Sequence, residues 1–596
     1  LMAGVLHAAN HFSDNSQIVS LAKELFDAVD WYWFVRPSGT FAAMWTPEQG
    51  FFGERFGYDE YVIAGILGLG SLTYPLPRSS WDAWRSAYQW AEYENYWFLC
   101  PAGYMRPCAY LYHFPAAWID FRDKHDNYVD YWEMMWNALA ANREYCRDWA
   151  ENYPEYDDNL WGWTACEGPT GYLGWDPFRG TIAPSAVAGS LPFMPDNVIP
   201  DLWYIYEHYR DNIWSRYGFK DSMDSGYNSG AGWFAENSVG INKGPEVLLV
   251  EAYWSGMVWR EFMKNFNALE GLRKAGFTWR IYPSDDSYVD NTQPNTNFGT
   301  SPALLVENTA SRSRLAYLKF DLSDFFSQDF GIAEAKLNVF VYENNPGLMV
   351  VFSVENDAWS ENTITWNSRP AFQENIGNAT CSAGWVSIDI TRWVKSQYGS
   401  DRKASVAVWI TQNSASLRSD EYTDNRKQRP FLSVRFSTMK PVAERLIPVA
   451  DAYTDFNDPN TAKGVQNPKR LAVSGVSNYY RRSYLKFDTS SLPSGAQILK
   501  ARLWVYVNSV VNPGNPVKTI FACQLSNDAW QENTITWNNQ PENGPAISEN
   551  SSIPSSGWVS WDVTSWVLDQ ISVDNVVSIV LRTYEPASTI EPWFES

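Results

Sequence analysis

Histidine is scarce in this chain of 596 residues: His7, His11, His113, His125 and His208 are all there are. No spacing among them suits a metal, which argues against a His-rich catalytic zinc site. The cysteines are nearly as few, six in all (Cys100, Cys108, Cys146, Cys166, Cys381 and Cys523), and no CxxC pair occurs. Neither a zinc ribbon nor a disulfide-stapled small fold is therefore indicated. Cys100 and Cys108 are near enough in sequence to pair, whereas Cys381 and Cys523 fall in separate repeats and are expected to be free or linked elsewhere. Basic residues are in deficit, 46 Lys plus Arg against 68 Asp plus Glu, and the net charge of −22 repels nucleic acid and anionic membrane surfaces. No run of 18 apolar residues exists, so no membrane span is expected. A signal peptide is also missing, and the chain opens at Leu1 inside the helical run LMAGVLHAANHF. An upstream segment, removed or carried on another polypeptide, is the expectation.

Aromatic residues are what the chain has in excess: 32 Trp, 34 Tyr and 31 Phe make up 16% of it, more than packing ordinarily needs. Sugar rings present apolar C–H faces that stack on such side chains, so a neutral or weakly charged carbohydrate is the ligand class this composition favours over polyanions. Burial of Trp in sandwiches and helix pairs is the competing explanation for any single residue.

Apolar spacing is mostly helical up to about residue 276, as in SQIVSLAKELFDAVDWYWF (16–34) and NVIPDLWYIYEHYRDNIWSRY (197–217). Near Trp279 the period changes to two, with runs such as KLNVFVY (336–342) and ASVAVWI (404–410) bounded by turn residues. An internal repeat divides this all-β region. SYVD (287–290), AYLKFD (316–321), ENDAWSENTITWNSRP (355–370) and GWVSIDITRWV (384–394) return in order as AYTD (452–455), SYLKFD (483–488), SNDAWQENTITWNNQP (526–541) and GWVSWDVTSWV (557–567). Trp359 and Trp530, like Trp366 and Trp537, are 171 positions apart, so the motif repeats without gaps. The reading is multidomain: a helical domain over 1–278, then two jelly-roll sandwiches over 279–440 and 441–596, with about eight short strands each and no helix between them. In TITW, period two would turn Ile and Trp inward and Thr outward, giving Trp366 and Trp537 a structural role. Acidic pairs such as Asp285 with Asp286 suit either a structural calcium ion or a solvated turn, and the turn is favoured. No cofactor is called for.

Cleaving a glycosidic bond takes two carboxyl groups across the bond in an aromatic-lined cleft. Three stretches place acids in such surroundings. In MWTPEQGFFGERFGYDEYVIAGILGLGSLTYPLP (44–77), Asp59 and Glu60 precede an apolar helix, a position that the helix dipole alone also favours. In WIDFRDKHDNYVDYW (118–132), Asp120 and Arg122 lie among large apolar residues, as a substrate contact or a fold-holding pair. In LWGWTACEGPTGY (160–172), Glu167 sits among aromatics, the kind of setting in which a carboxyl pKa rises.

Together with GTIAPSAVAGSLPFMPDNVIP (180–200), YGFKDSMD (217–224), GWF (232–234) and VGINKGPEVLLVEAYWSGMVW (239–259), these stretches resemble the glucoamylase-like family that includes bacterial endo-β-1,2-glucanases. That resemblance implies an all-α (α/α)6 toroid with a cleft at one end, Glu60 as its catalytic acid, Glu167 in the cleft or a carboxyl carried upstream as the second catalytic group, and Asp59, Asp120, Arg122, Trp118, Trp163, Glu251 and Tyr253 along the substrate path. The family's Gly-Ile-Asp-Gln-Gly-Pro and Glu-Asn-Tyr-Arg are altered here to Asn242 and Lys243, then Glu251, Ala252, Tyr253 and Trp254. Roughly seven helices are legible, fewer than a closed toroid needs, so a partner chain or upstream segment is expected to complete it. The paired β motifs resemble the DNRLRE, or disaggregatase-related, repeat of extracellular and cell-surface proteins. The resulting expectation is an extracellular or cell-surface glycoside hydrolase or transglycosylase acting on a β-glucan or related polysaccharide, with sandwiches that bind carbohydrate or attach to a surface. The alternative is a non-catalytic cell-surface or matrix protein whose barrel serves binding or assembly.

Overall fold

The computed structural model describes the chain apart from residues 56, 102, 151, 154–155, 175–179, 326–327, 345–346, 467–469, 477, 493–495, 512–518, 585–590 and 596. It divides into two compact units, Leu1–Ala443 and Glu444–Ser596.

Helices dominate the first part of the larger unit, and their ends follow from local chemistry. Ser16–Asp27 starts where the Asn15 side chain accepts from the backbone N–H groups of Gln17 and Ile18. Tyr131–Asp148 starts where Asp130 accepts from Glu133 N–H. Phe266–Ala275 is capped by Asn265 and ends at Gly276, whose φ of 87° is the left-handed turn that glycine tolerates best. The helix Val62–Leu69 (VIAGILGL) is apolar all round because it runs through the core. Its close neighbour is Phe266–Ala275, and the approach is tight: a Cβ on Gly271 would lie 1.9 Å from the Ile66 carbonyl oxygen.

This part is not all-α, as the sequence reading had it. Short hairpins stand between the helices, Phe41–Thr46 with Gly50–Arg55, Gln89–Tyr93 with Tyr96–Cys100, and Cys166–Gly168 with Gly171–Leu173. Such strands of three to six residues are too short to imprint a period on the sequence.

The first sandwich is joined to the helices by pairing rather than by a linker. Thr278–Ile281 pairs with Phe431–Thr438 of the sandwich on one side and with Lys124–His125 of the helical part on the other. Arg280 closes the seam through an ion pair with Asp130 and a backbone N–H bond to Asp123 O at 2.7 Å. Trp279 is buried there, edge-on to Phe436 with ring centroids 5.0 Å apart.

In the smaller unit, a five-stranded sheet containing Ala450–Asp455, Arg481–Asp488 and Val576–Thr583 faces a four-stranded sheet built on Arg502–Val511 and Gly557–Asp562. Leu485, Ile579 and Leu581 from one sheet meet Leu503, Val505 and Trp561 from the other, which is the core of a sandwich. Two details depart from the sequence reading. Among the described residues each module carries one α-helix, Thr391–Tyr398 and Thr564–Ile571, formed from the end of the DITRWV and DVTSWV motifs. TITW is a hydrogen-bonded turn rather than a strand: Thr363 and Ile364 N–H both donate to Ser360 O, so Ile364 is buried while Trp366 is half-buried. All six cysteines are buried, and Cys100 and Cys108 do not pair.

Candidate active site

The turn from Gly57 into the buried helix Val62–Leu69 carries two adjacent carboxyls. Tyr58 and Asp59 are both fully buried, at 0% relative exposure, while Glu60 keeps a partly exposed edge. Tyr58 anchors the turn by lying nearly parallel to Tyr112, ring centroids 5.7 Å apart. Asp59 Oδ1 accepts from Tyr61 N–H at 2.8 Å, and Tyr61 OH donates to Ala43 O at 3.1 Å. Arg55, at the end of the strand Gly50–Arg55, reaches both acids: Nε lies 3.9 Å from Asp59 Oδ2 and Nη2 3.8 Å from Glu60 Oε1. These separations exceed hydrogen-bond length, so Arg55 supplies charge without saturating either group. Asp59 Oδ2 and Glu60 Oε2 are buried without a hydrogen-bond partner.

Burial, reinforced by the Glu60 charge, pushes the Asp59 carboxyl up to about 7. Burial also raises Glu60 against the opposing pull of Arg55. A carboxyl whose ionisation burial disfavours, with a free oxygen and a partly open face as in Glu60, can donate a proton. The phenol of Tyr110 feels the charges of Glu60 and Arg55, and its ring also lines a small cavity of about 10 Å³ with Thr164, Asn242 and Pro245.

A second carboxyl group is organised across that frame. Tyr110 N–H donates to Thr164 Oγ1 and Ala109 N–H to Trp163 O, so the 163–166 segment is tied to the start of the helix Tyr110–Ala116. Two residues beyond Ala165, Glu167 donates its N–H to Asp221 Oδ2 at 2.7 Å, and its Oε1 accepts from Asn237 Nδ2 at 2.9 Å. Asp221 is buried and also accepts from Asn242 Nδ2 at 2.8 Å; burial raises its carboxyl. Nearby on the helix Gly240–Trp254, Lys243 pairs with Glu246 at 2.6 Å.

Other residues singled out in the sequence lie elsewhere. Asp120 takes Arg122 in a two-point ion pair, at 2.9 and 2.8 Å, and Arg122 lies 4.6 Å over the Trp259 ring. Burial opposes ionisation of Asp120, but its bonds to Arg122 and the Lys124 charge outweigh that and hold it low. The pair therefore satisfies itself rather than joining Glu60. Trp118 packs between His7 and Phe262. Trp163 is corrected from a substrate contact to a core residue: it is 0% exposed and packed against Tyr104 and Tyr145. Asp59 is equally buried, with no face open to a ligand. Glu251 Oε1 accepts from Ser255 Oγ at 2.5 Å, and Tyr253 is exposed on the same helix. Arg55, Tyr110 and Asp221 were not foreseen. Only Arg55 had a local signal, four residues ahead of Asp59.

Asp285 is ion-paired with Lys319 at 2.8 Å, and among the described residues no group of three or more His, Cys, Asp or Glu is placed to hold a metal ion. None of the helices among the described residues is long and apolar enough to cross a membrane.

Residues 54–266 match the family model described as "Putative glucoamylase", and residues 278–433 and 442–591 each match carbohydrate-binding module family 96. A curated relative, an exo beta-1,2-glucooligosaccharide sophorohydrolase (non-reducing end) from Parabacteroides distasonis, is 24% identical over 306 residues, 46% of this chain. The matched stretch spans 42% of that relative's length. Among solved structures, a glucoamylase-type protein from Bacteroides uniformis is 30% identical, covering 47% of this chain and 70% of the other, with a TM-score of 0.44. An endo-beta-1,2-glucanase from Chitinophaga pinensis is 26% identical, covering 46% and 69%, with a TM-score of 0.43.

Proposed function

The chain belongs to carbohydrate-binding module family 96 through its two sandwich modules and carries a glucoamylase-like domain ahead of them, and from that premise we propose that it is an extracellular glycoside hydrolase acting on a β-glucan, with β-1,2-glucan the first substrate to test. The observation that carries this reading is the Asp59–Glu60 pair, two adjacent carboxyls raised by burial, one of them partly open.

In this reading Glu60 is the acid. Its proton passes to the glycosidic oxygen as the bond from that oxygen to the anomeric carbon breaks, and the leaving sugar departs as an alcohol. Water adds to the anomeric carbon and gives up a proton to the second carboxyl, assigned to Glu167 and oriented by Asn237. Asp59 shares the titration of the buried turn: ionising both neighbours would set two like charges side by side, so the pair keeps a proton to higher pH than isolated carboxyls do. Arg55 limits that effect by lying near both. The sandwiches hold the enzyme on its polymer. The likeness of LKFD and ENTITW to DNRLRE repeats supports a surface-exposed setting for them.

One observation favours a second reading, a barrel kept for binding: Asn242 replaces the Asp of the related motif, and its amide is spent on Asp221. A single assay separates the two. The intact chain is incubated with linear β-1,2-glucan, other β-glucans and acidic heteropolysaccharides, and new reducing ends are measured. Hydrolysis of a β-glucan that drops about 10²–10⁴-fold in Glu60→Gln is the expected result. No new ends from any polymer, with Glu60→Gln indistinguishable from the parent, would refute the enzyme reading.

A further inference from the structure

The two sandwich modules build one scaffold around the tryptophan of ENTITW and then decorate it differently. In the first module Asn367 donates its backbone N–H to Pro294 O at 3.0 Å and its Nδ2 to Asn295 Oδ1 at 2.8 Å. In the second, Asn538 does the same to Pro459 O at 3.1 Å and to Asn460 Oδ1 at 2.8 Å. The neighbouring strands also match. Asn291 N–H donates to Ser313 O at 3.1 Å and Phe456 N–H to Tyr480 O at 3.0 Å; Arg314 grips Asp290 at 2.8 Å and Arg481 grips Asp455 at 2.9 Å. Trp366 and Trp537 thus occupy one position in two copies, and Asn291, Ser313 and Leu315 correspond to Phe456, Tyr480 and Arg482.

In the first copy the tryptophan is latched. The Arg369 guanidinium lies 3.8 Å from the Trp366 ring centroid, in van der Waals contact, and bonds the Trp366 carbonyl. In the second copy that place is taken by Gln540, whose Oε1 turns away to accept from Thr454 and Tyr484, both at 2.8 Å. Three rings gather instead. Tyr480 is nearly parallel to Trp537, at 20° with centroids 6.4 Å apart, and Phe456 stands edge-on to both at 5.7 and 5.5 Å. The Arg482 guanidinium lies 4.9 Å from the Trp537 centroid. Phe456 is 40% exposed, with Asn538 and Asn539 exposed beside Trp537. Packing of the module does not require these rings, since the first copy keeps the same backbone frame with Asn291 and Ser313 in their place.

A pyranose ring offers an apolar C–H face bordered by hydroxyls. Aromatic rings take the face, while a guanidinium and side-chain amides take the hydroxyls. We propose that the Phe456–Tyr480–Trp537–Arg482 patch is the pyranose-binding subsite of the second module, and that its counterpart at Trp366 in the first module does not bind. This rests on the carbohydrate-binding reading given above. The ligand is a neutral glucan chain, because a chain of net charge −22 repels a polyanion.

The test is affinity electrophoresis of the full chain through gels containing linear β-1,2-glucan, linear β-1,3-glucan or a polyuronate, with reducing-end release measured in parallel. Trp537→Ala and Tyr480→Ala should each weaken retention by a neutral glucan about tenfold, the loss of one aromatic contact. Trp537→Phe should keep most of the retention, and Trp366→Ala should match the parent. Equal retention of Trp537→Ala, Tyr480→Ala and the parent overturns the subsite, as does an equal loss in Trp366→Ala. Retention by the polyuronate alone, or by none of the gels, overturns the neutral glucan as its ligand. Hydrolysis that persists while retention is insensitive to these variants refutes the subsite and leaves the Glu60 reading intact. Variant-sensitive retention without new reducing ends does the reverse.

Discussion

Asn242 donates its Nδ2 to Asp221 Oδ1 at 2.8 Å, inside a buried pocket where Asp221 also receives the Glu167 N–H. The amide satisfies a carboxylate that would otherwise be left short of donors. Asn242→Asp puts a second carboxyl in place of that donor, so one of the two must hold a proton in the folded state. A carboxyl whose folded pKa is raised loses its contribution to stability as pH rises above the unfolded value near 3.9. The variant should therefore be less stable than the parent at pH 7.5, by about 2 kcal/mol, and approach it near pH 4. Melting curves across that range check this.

Asp59→Asn removes the like charge beside Glu60. The pair's last proton sits on Asp59, raised by burial and by the Glu60 charge; with Asn at 59 the turn keeps only the Glu60 proton, raised by burial against the pull of Arg55, so the last proton leaves at lower pH. The alkaline limb of kcat/KM for glucan hydrolysis should move acidward by about one pH unit. Stability moves the other way: the raised Asp59 destabilises the parent as pH climbs from about 4 towards 7, and the neutral Asn does not. An unmoved alkaline limb would mean that the two carboxyls do not share their titration.

The contrast between these two sites reflects what a sequence can reveal. Asp59 and Glu60 are adjacent, and their setting between a Gly-containing turn and an apolar helix could be read directly. Asp221 reaches Glu167 across 54 positions and Asn242 across 21, distances at which no local period carries information. The repeat was legible because both copies keep the same turn and strand motifs. The TITW turn was misread because a turn bonded to Ser360 and a strand can share an alternating pattern. Trp163 was misassigned because aromatic residues near a candidate acid look alike whether they face a ligand or, as here, the core.

Gly70 and Gly271 fix how closely the helices Val62–Leu69 and Phe266–Ala275 approach. A Cβ on Gly271 would sit 1.9 Å from Ile66 O, and one on Gly70 would sit 1.8 Å from Asn267 O. In both cases the obstacle is backbone, which cannot rotate away. Gly271→Ala should cost about 3 kcal/mol or more, measured by chemical denaturation, even though alanine is the better helix former. Because Val62–Leu69 follows directly on Glu60, activity should fall with stability. A stability change within about 0.5 kcal/mol would show that the helices part without loss.

Asp286 gives the last expectation. It is 1% exposed; Oδ2 accepts from Asp420 N–H at 2.9 Å, while Oδ1 is buried without a partner. Burial, then the charges of Glu421, Asp420 and Glu361, hold its carboxyl well above the usual range. Arg429 is spent on Asp420, at 2.8 Å, and Lys319 on Asp285, so neither cation neutralises Asp286 directly. Below about pH 4 the group is protonated whether the chain is folded or not, and it costs nothing. As pH rises the unfolded chain ionises freely while the folded one resists, so stability drains away towards neutral pH. Asp286→Asn keeps an oxygen for the Asp420 N–H and removes the titration. Its melting temperature should exceed the parent's at pH 8, with the gain shrinking steadily to nothing near pH 4. A gain that did not depend on pH would locate the effect in packing rather than in charge.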